Sequence, residues 1–457
     1  MTVDKWFLIL AITFGILLII VTPPFQAPDE YNHYYRAIGI SNGDLVPIKI
    51  NKSQVVDVYD SFPGANTEIS NQYVGSYISE DVIKVARGVS RDLPGNTDNK
   101  QSVQEIFKYL KYGEMSENKI FASYPNTSLY SPVPYTPSVL AVLIGRLLQT
   151  PHLITFYLAR LFHLFAYISL VYFAIKTAPY LKNTLFLLAL MPVSLFLGMS
   201  VSADTLVISL SFLTFALISK LYKSYSKKTF YVLVLVSFLL GMSKSGYFLL
   251  PAMSLILFVK YRKVKLFLPI IASVCGLFLW QGFIDELYVP LRYGVDMNKQ
   301  LELIIQEPVN FIKVLANTIV GNRNYIVTQF VGNLGWLDVP LNMYVCYFYV
   351  LLLIISTVFD VSYPDNRLKI MSFLVAVVSF LIISVLMYLS WSPVGHHEIL
   401  GLVGKNFIPL SIFGLAVFGS SIGAVYSKIT NDLWKYFIVC ILIYTLIKLI
   451  YRYYVTY

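Results

Sequence analysis

The sequence predicts an all-α membrane protein with about 11 transmembrane helices. Of its 457 residues, 57% are hydrophobic and only 13% are charged, whereas a soluble domain is about 45–50% apolar and 25% charged. Nearly uncharged runs recur along the chain, and the longer ones approach the ~20 residues that cross a bilayer. These runs cover residues 6–22, 154–175, 183–200, 205–219, 229–243, 245–259, 266–284, 340–359, 370–390, 406–426 and 436–451.

The basic residues between the apolar runs predict the orientation. If the N-terminus faces the cytoplasm, the loops on its side hold 14 basic residues against three acidic ones, which is the bias of cytoplasmic loops. This distribution also accounts for the net charge of +10, so nucleic acid is not a predicted partner. The three cysteines lie in or beside apolar runs and predict neither disulfides nor a metal site. We expect a multi-pass protein of the bacterial plasma membrane.

Residues 1–457 are interpreted as one integral membrane domain with two large extracytoplasmic segments. The first loop covers 23–152, and the second covers 285–339. Residues 132–149 are apolar but contain three prolines and Arg146. They are therefore predicted to form a helix in the outer interface, because a full span there would invert the orientation downstream. The first apolar run ends at Pro23-Pro24 without a small-residue cleavage site and is interpreted as a retained helix.

Candidate chemistry begins at the outer end of the first apolar run, where Asp29 and Glu30 follow Pro28. Other ionisable residues recur at the predicted outer edge, among them Asp204, Lys244 and Lys405. A carboxylate can take a proton from an acceptor hydroxyl, and fixed cations can offset charge on a departing phosphate. Simpler alternatives remain open: solvated acids after a helix, a helix cap at Asp204, or lysines that anchor helix ends.

Several short motifs occur along the chain in this order: Pro28-Asp29-Glu30 with His33, Tyr34 and Arg36-Ala37, Pro125-Asn126 through Tyr130-Ser131-Pro132, Ala159-Arg160-Leu161, Ser200 to Asp204, Gly335-Trp336-Leu337-Asp338, and Trp391 to Gly395 through Gly404-Lys405-Asn406-Phe407-Ile408-Pro409. Together they resemble one bacterial family, which is known mainly as a predicted membrane protein of unknown function and is similar to the GT-C superfamily of glycosyltransferases. The resemblance covers nearly the whole chain. The last motif usually reads Gly-Arg-Tyr-Phe in that family and is Gly-Lys-Asn-Phe here, so the charge is kept without the two-pronged contact of an arginine.

The resemblance to GT-C enzymes implies a membrane glycosyltransferase that inverts the anomeric centre. Its donor would be a polyprenyl-phosphate-linked sugar, and its acceptor is expected to be a cell-wall or surface glycan. The acidic residue of the first outer loop maps onto Asp29 or its neighbour Glu30, and the second acidic residue maps onto Asp204. Enzymes with monophosphate donors commonly need no metal, and we expect none here. The remaining predicted roles are donor phosphate binding by Lys405, Arg160, Lys244 and His396, and substrate or acceptor binding by Asp204, His33, Arg36, Asn126, Tyr130 and Trp391.

Two functions of other classes remain as alternatives. A transporter or flippase of a lipid-linked sugar would also need cations at the outer face, and it predicts charged or discontinuous helices near the membrane midplane. A non-enzymatic partner in polysaccharide assembly would make the proximity of Asp29 and Lys405 incidental. The sequence identifies neither the sugar nor the acceptor.

Overall fold

The computed structural model describes residues 2–54, 58–60, 71–90, 93–113, 118–360, 362, 364–420 and 423–455, with backbone only at 60 and 423–433. The described chain is mostly helical, which confirms the predicted polytopic helical class. The α-helices are α1 Val3–Val21, α2 Glu30–Ser41, α3 Glu80–Ser90, α4 Val103–Phe107, α5 Pro125–Ser128, α6 Thr136–Leu147, α7 His152–Thr177, α8 Lys182–Leu190, α9 Pro192–Met199, α10 Asp204–Lys223, α11 Lys227–Ser243, α12 Leu255–Tyr261, α13 Leu268–Ile284, α14 Met297–Gln306, α15 Pro308–Gly321, α16 Arg323–Val331, α17 Met343–Val358, α18 Asn366–Trp391, α19 Ile408–Leu415 and α20 Gly423–Tyr454. The strands are β1 Ile48–Asn51, β2 Val58–Asp60, β3 Gln72–Ser79, β4 Lys119–Ser123, β5 Asn333–Leu334 and β6 Val339–Pro340.

Six helices of the described chain are long and apolar enough to cross a membrane. Two bent pairs raise the number to eight if each pair is one span: α8 with α9, bent by 64°, and α14 with α15, bent by 108°. The expected count of about 11 is not reached, because several apolar runs form shorter helices. Pro192 interrupts one run, since proline cannot donate the helical hydrogen bond, and the run after Lys244 begins as 3₁₀ turns at Ser245–Tyr247 and Leu250–Ser254.

Helix α10 lies at the centre of the bundle. Of the residues in its apolar stretch, 94% are buried, and the helix packs against α7, α11 and α19. A helix that is apolar all round is suited to this position, because every face meets another helix. The first residue of this central helix is Asp204, so the core of the bundle fixes the position of a carboxylate at one of its ends.

The first large segment contains a four-stranded sheet that the sequence analysis did not predict. Its strand order is β1-β3-β4-β2; β3 runs antiparallel to β1 and β4, and β2 runs parallel to β4. Gly75 allows β3 to approach β4 closely, because a Cβ atom there would lie 1.8 Å from the Ala122 carbonyl oxygen. Helix α2 packs against β3, so the sheet supports the helix that follows Asp29.

The segment predicted to be an interfacial helix contains the 3₁₀ turn Val133–Tyr135 and the 12-residue helix α6. At ~1.5 Å per residue this helix is too short to cross a bilayer. It packs against α2 and α7. Its place in the outer interface stays a prediction.

Candidate functional site

Asp29 precedes α2 in an unusual backbone conformation. Its φ of 58° and ψ of 16° are left-handed, and its side chain makes no capping hydrogen bond to the helix that it begins. Asp and Asn adopt this conformation more readily than most residues. Such positions are enriched at functional sites, where the surrounding structure holds them in place. The carboxylate is therefore not engaged in the usual role of an aspartate at a helix start.

Asp204, Lys244 and Lys405 form a charged cluster at one end of the bundle. The Lys244 ammonium lies 3.1 Å from one carboxylate oxygen of Asp204, and the Lys405 ammonium lies 3.2 Å from the other. The three side chains are only 14–18% exposed. Ala203 occupies the cap position of α10, so the alternative of Asp204 as the capping residue does not apply. The carboxylate instead holds together two lysines that are 161 residues apart in sequence.

Two local features fix the lysines. The Tyr247 hydroxyl donates a 2.9 Å hydrogen bond to the Asn406 carbonyl and so links the turn of Lys244 to the segment of Lys405. Gly404 lies directly against α16, because a Cβ atom there would stand 2.0 Å from the Ile326 carbonyl oxygen. The Gly404 amide also donates to the Gln329 side chain at 3.0 Å. The position of Lys405 therefore depends on a glycine that permits close backbone packing.

Asp29 lies close enough to this cluster for the charges of Asp204, Lys244 and Lys405 to influence its pKa. Burial is the largest cause that raises the pKa of Asp29, and the charge of Asp204 adds to the rise, whereas Lys405, Lys244 and the Asn126 side chain oppose it. Burial disfavours the Lys244 ammonium, but Asp204 and the neighbouring tyrosines hold its pKa well above the ordinary value. The site thus combines an Asp29 carboxylate of raised basicity with a Lys244 ammonium that stays charged.

Glu30 points elsewhere and pairs with Arg160. Both side chains are fully buried, and the guanidinium donates to Glu30 at 2.9 and 2.6 Å. The backbone amides of Ala27 and Val201 donate to the same carboxylate at 3.2 and 3.1 Å. Arg160 also donates to the carbonyls of Thr22 and Pro23. This geometry favours a structural role over the predicted catalytic role of Glu30 and phosphate-binding role of Arg160, because their polar atoms are already occupied.

His33 lies beside the charged cluster within an aromatic group. Its ring stacks on Tyr130 at 6.0 Å, and its Nδ1 forms a 2.7 Å hydrogen bond with the Tyr135 hydroxyl. Burial lowers the pKa of His33 to about 3, so the imidazole is neutral at physiological pH. The Lys244 ammonium lies 5.5 Å from the centre of the Tyr130 ring. His33 and Tyr130 therefore line the site as neutral groups that can hydrogen-bond to or stack on a ligand.

Arg36 lies beside this aromatic group and contacts the backbone of Tyr130. It is fully buried and donates to the carbonyls of Asp44, Leu45 and Tyr130. These contacts favour a positioning role over the predicted substrate contact. Asn126 accepts a 2.8 Å hydrogen bond from Asn32 and lies close enough to Asp29 to influence its pKa.

The structure does not join His396 or Trp391 to the charged cluster by any contact among the described residues. His396 is half-buried, and its Nδ1 lies 2.9 Å from the Glu398 carbonyl oxygen. The Trp391 ring contacts Arg292 at 5.8 Å. Their predicted roles in phosphate and acceptor binding stay predictions. No cluster of three or more potential metal ligands occurs among the described residues.

Sequence reasoning missed Tyr135 and Tyr247, which contact His33 and the Lys405 segment. The chain has 35 tyrosines, so residue type alone could not distinguish these two. The helix break at Lys244-Ser245-Gly246-Tyr247 was the available signal, because it places Tyr247 one turn after Lys244. The motif Gly335-Trp336-Leu337-Asp338 forms a turn whose Trp336 ring donates to the Phe25 carbonyl and stacks on Tyr31.

Comparison with known proteins identifies the family. The family described as "Predicted membrane protein (DUF2142)" matches residues 12–413, which is most of the chain. No curated protein and no solved structure matches. The first part of the resemblance is thereby confirmed, whereas the similarity to the GT-C superfamily stays a prediction. The chain belongs to the DUF2142 family of predicted membrane proteins.

Proposed function

We propose that this protein is a GT-C-like membrane glycosyltransferase that moves a sugar from a polyprenyl-phosphate donor to a glycan acceptor outside the cytoplasm. The observation that carries the proposal is the convergence of Asp29 with Asp204, Lys244 and Lys405 at one end of the bundle. A carboxylate and paired cations are the two components that such a transfer needs.

In the proposed step, Asp29 acts as the general base. An acceptor hydroxyl transfers its proton to the Asp29 carboxylate and forms a new bond to the anomeric carbon. The bond between that carbon and the phosphate oxygen breaks, and the phosphate leaves with the electron pair. The raised pKa of Asp29 favours this role, because a base works best when its pKa approaches the operating pH.

Lys244 and Lys405 would bind the donor phosphate. Each ammonium carries three N–H donors, and the contact with Asp204 uses one of them. Asp204 therefore holds the cations in place and leaves donors for a ligand. Two fixed cations in a half-buried site stabilise charge that grows on a leaving phosphate without first having to reorganise.

Asp29→Asn tests the assignment. The variant removes the base with little change in shape, so we expect a folded protein that no longer adds the sugar. The assay is mass analysis of surface glycans and lipid-linked sugars in cells with and without the gene, complemented by each variant at matched expression. Asp98→Asn is the control, because Asp98 is exposed in the same large segment. Wild-type glycans in the Asp29→Asn strain would exclude the role of Asp29.

A lipid-linked sugar transporter is the second candidate, and one observation favours it. The α8–α9 pair is bent by 64° at a buried break, as in the discontinuous helices of transporters. The break lies between Leu190 and Pro192, and its neighbours are apolar, whereas transporter breaks present polar groups to a substrate. Movement of labelled lipid without any change in its glycan would support this function instead.

A further inference from the structure

A cavity lies against α2, and none of Asp29, Asp204, Lys244 and Lys405 lines it. It has a volume of about 270 Å³. Its lining includes Tyr34, Ile38, Val82, Val142 and Arg146. His33 and Arg36 contact Tyr130, whereas Tyr34 and Ile38 pack in one cluster with residues of α3 and α6. The cavity is therefore separate from the site of the proposed transfer.

Arg146 supplies a positive charge to this cavity without a counter-ion. Its guanidinium donates to the Ser41 carbonyl at 3.0 Å, the Ser41 hydroxyl at 2.8 Å and the Asn42 side-chain oxygen at 2.5 Å, all of them neutral acceptors. No described carboxylate lies within 4 Å of it, and its Nε atom is buried without a hydrogen-bond partner. Burial lowers the pKa of Arg146. A partly buried cation of this kind gains more from an anion than a solvated one does.

The rest of the cavity wall suits an amphiphile. Ile38, Val82 and Val142 form the apolar part of the wall, and the polar part consists of Tyr34, Gln149, Thr150, His152 and Thr155. Burial raises the pKa of Tyr34, and the nearby charge of Arg146 acts against that rise, so the two side chains lie close together. One ligand can therefore place an anionic group at Arg146 and a hydrocarbon chain between the apolar side chains.

The position of α6 indicates where the ligand comes from. Its outer surface carries Leu140, Leu143 and Leu147, which are 47%, 46% and 82% exposed. Val142, Gly145 and Arg146 of the same short helix line the cavity. One face of α6 is thus apolar and uncovered by the described chain, while the other forms the cavity wall. This is the pattern of a helix that lies in the membrane interface, where phospholipid headgroups are the most abundant anions.

We propose that this cavity binds a membrane glycerophospholipid, with its phosphate at Arg146 and the start of an acyl chain against Val82 and Val142. Arginine is suited to phosphate because it carries a permanent positive charge and several N–H donors, and the bonds to Ser41 and Asn42 leave the Nε–H of Arg146 unused. The cavity holds the headgroup and the first carbons, and the remaining chain extends along α6 into the bilayer. The proposal does not depend on the proposed glycosyl transfer.

Equilibrium binding to the purified full chain in nonionic detergent tests the proposal. The probe is dioctanoyl phosphatidylglycerol, and the comparison ligands are dioctanoylglycerol, which lacks the phosphate, and glycerol phosphate, which lacks the chains. We expect saturable binding of the phospholipid and at least about tenfold weaker binding of the other two, since hydrogen bonds to charged groups and buried methylenes each contribute.

Two variants address the two halves of the cavity. Arg146→Gln keeps a donor for Ser41 but removes the charge, and Val142→Phe fills the apolar space while Arg146 stays. We expect each to weaken phospholipid binding at least about tenfold. Arg323→Gln is the control, because Arg323 is exposed and donates to a backbone carbonyl. Lys405→Gln tests in addition whether the probe binds at the charged cluster of Asp204, Lys244 and Lys405. Unchanged binding in both cavity variants, or glycerol phosphate binding as tightly as the lipid, would overturn the proposal.

Discussion

Arg160→Leu should destabilise the protein strongly, because it leaves the Glu30 carboxylate buried without its cation. Glu30 and Arg160 are both 0% exposed. The substitution removes two charge-assisted hydrogen bonds to Glu30 and the donors to the Thr22 and Pro23 carbonyls. Only the amides of Ala27 and Val201 would still donate to the carboxylate.

The size of the destabilisation follows from the buried groups that lose their hydrogen-bond or ion-pair partner. Breaking a buried ion pair from one side costs about 3–5 kcal/mol, since the remaining charge keeps its desolvation penalty. Each buried carbonyl that loses its donor adds about 1–3 kcal/mol unless water reaches it. A loss of at least about 3 kcal/mol lowers the melting temperature of a large domain by about 5 °C or more. Because the pair joins the end of α1 to α7 and to the start of α10, the loss should also disturb the backbone around Asp29.

The assay is thermal unfolding of the purified variant in detergent, followed by intrinsic fluorescence. Arg323→Leu is the matched control, because this exposed arginine should change stability by only about 0.5 kcal/mol or less. The double variant Glu30→Leu with Arg160→Leu should lose less than the sum of the two single variants, since neither charge is then buried alone. An Arg160→Leu melting temperature equal to that of the wild type would show that the pair does not hold these helices together.

Two further predictions concern Lys405 and its neighbour Gly404. Lys405 lowers the pKa of Asp29, so Lys405→Gln should raise that pKa. Because the base must be deprotonated to act, the acidic limb of the pH–rate profile of sugar transfer should then move to higher pH. Lys299→Gln, at an exposed lysine, should leave the limb in place, and an unmoved limb in Lys405→Gln would contradict the assignment. Gly404→Ala should lower the melting temperature by several degrees, since its Cβ would lie 2.0 Å from a backbone oxygen of α16. Gly282→Ala, in α13 with open space around it, should be neutral or stabilising. Equal melting temperatures for the two alanine variants would show that α16 does not constrain Gly404.

The class of the fold was predictable because membrane helices leave a strong compositional signal. Long apolar stretches with few or no charges predicted α1, α7, α10 and α18 with little ambiguity. The number of spans was not predictable to the same degree, because hydropathy measures apolarity and not helix continuity. Met191-Pro192 lies between apolar residues, so a hydropathy profile passes over the break that the backbone makes between α8 and α9. The sheet β1-β3-β4-β2 was missed because β3 pairs with β4 across about 40 residues of sequence, and its strands have only three to eight residues, too few for a clear alternating pattern.

In the candidate site, too, the position of a residue at a helix end was predictable, whereas its contacts with distant residues were not. Sequence placed Asp29, Asp204, Lys244 and Lys405 at helix ends, and the structure brings the last three together through Asp204. It did not distinguish Asp29 from Glu30, because two adjacent carboxylates look alike until their surroundings are known. Asp29 has a left-handed backbone and its side chain makes no capping bond to α2, whereas Glu30, one residue later, pairs with Arg160 of α7, 130 residues away. A pair of neighbouring acids therefore divides into one fixed structural charge and one carboxylate that faces the lysines, and that division supports Asp29 as the base.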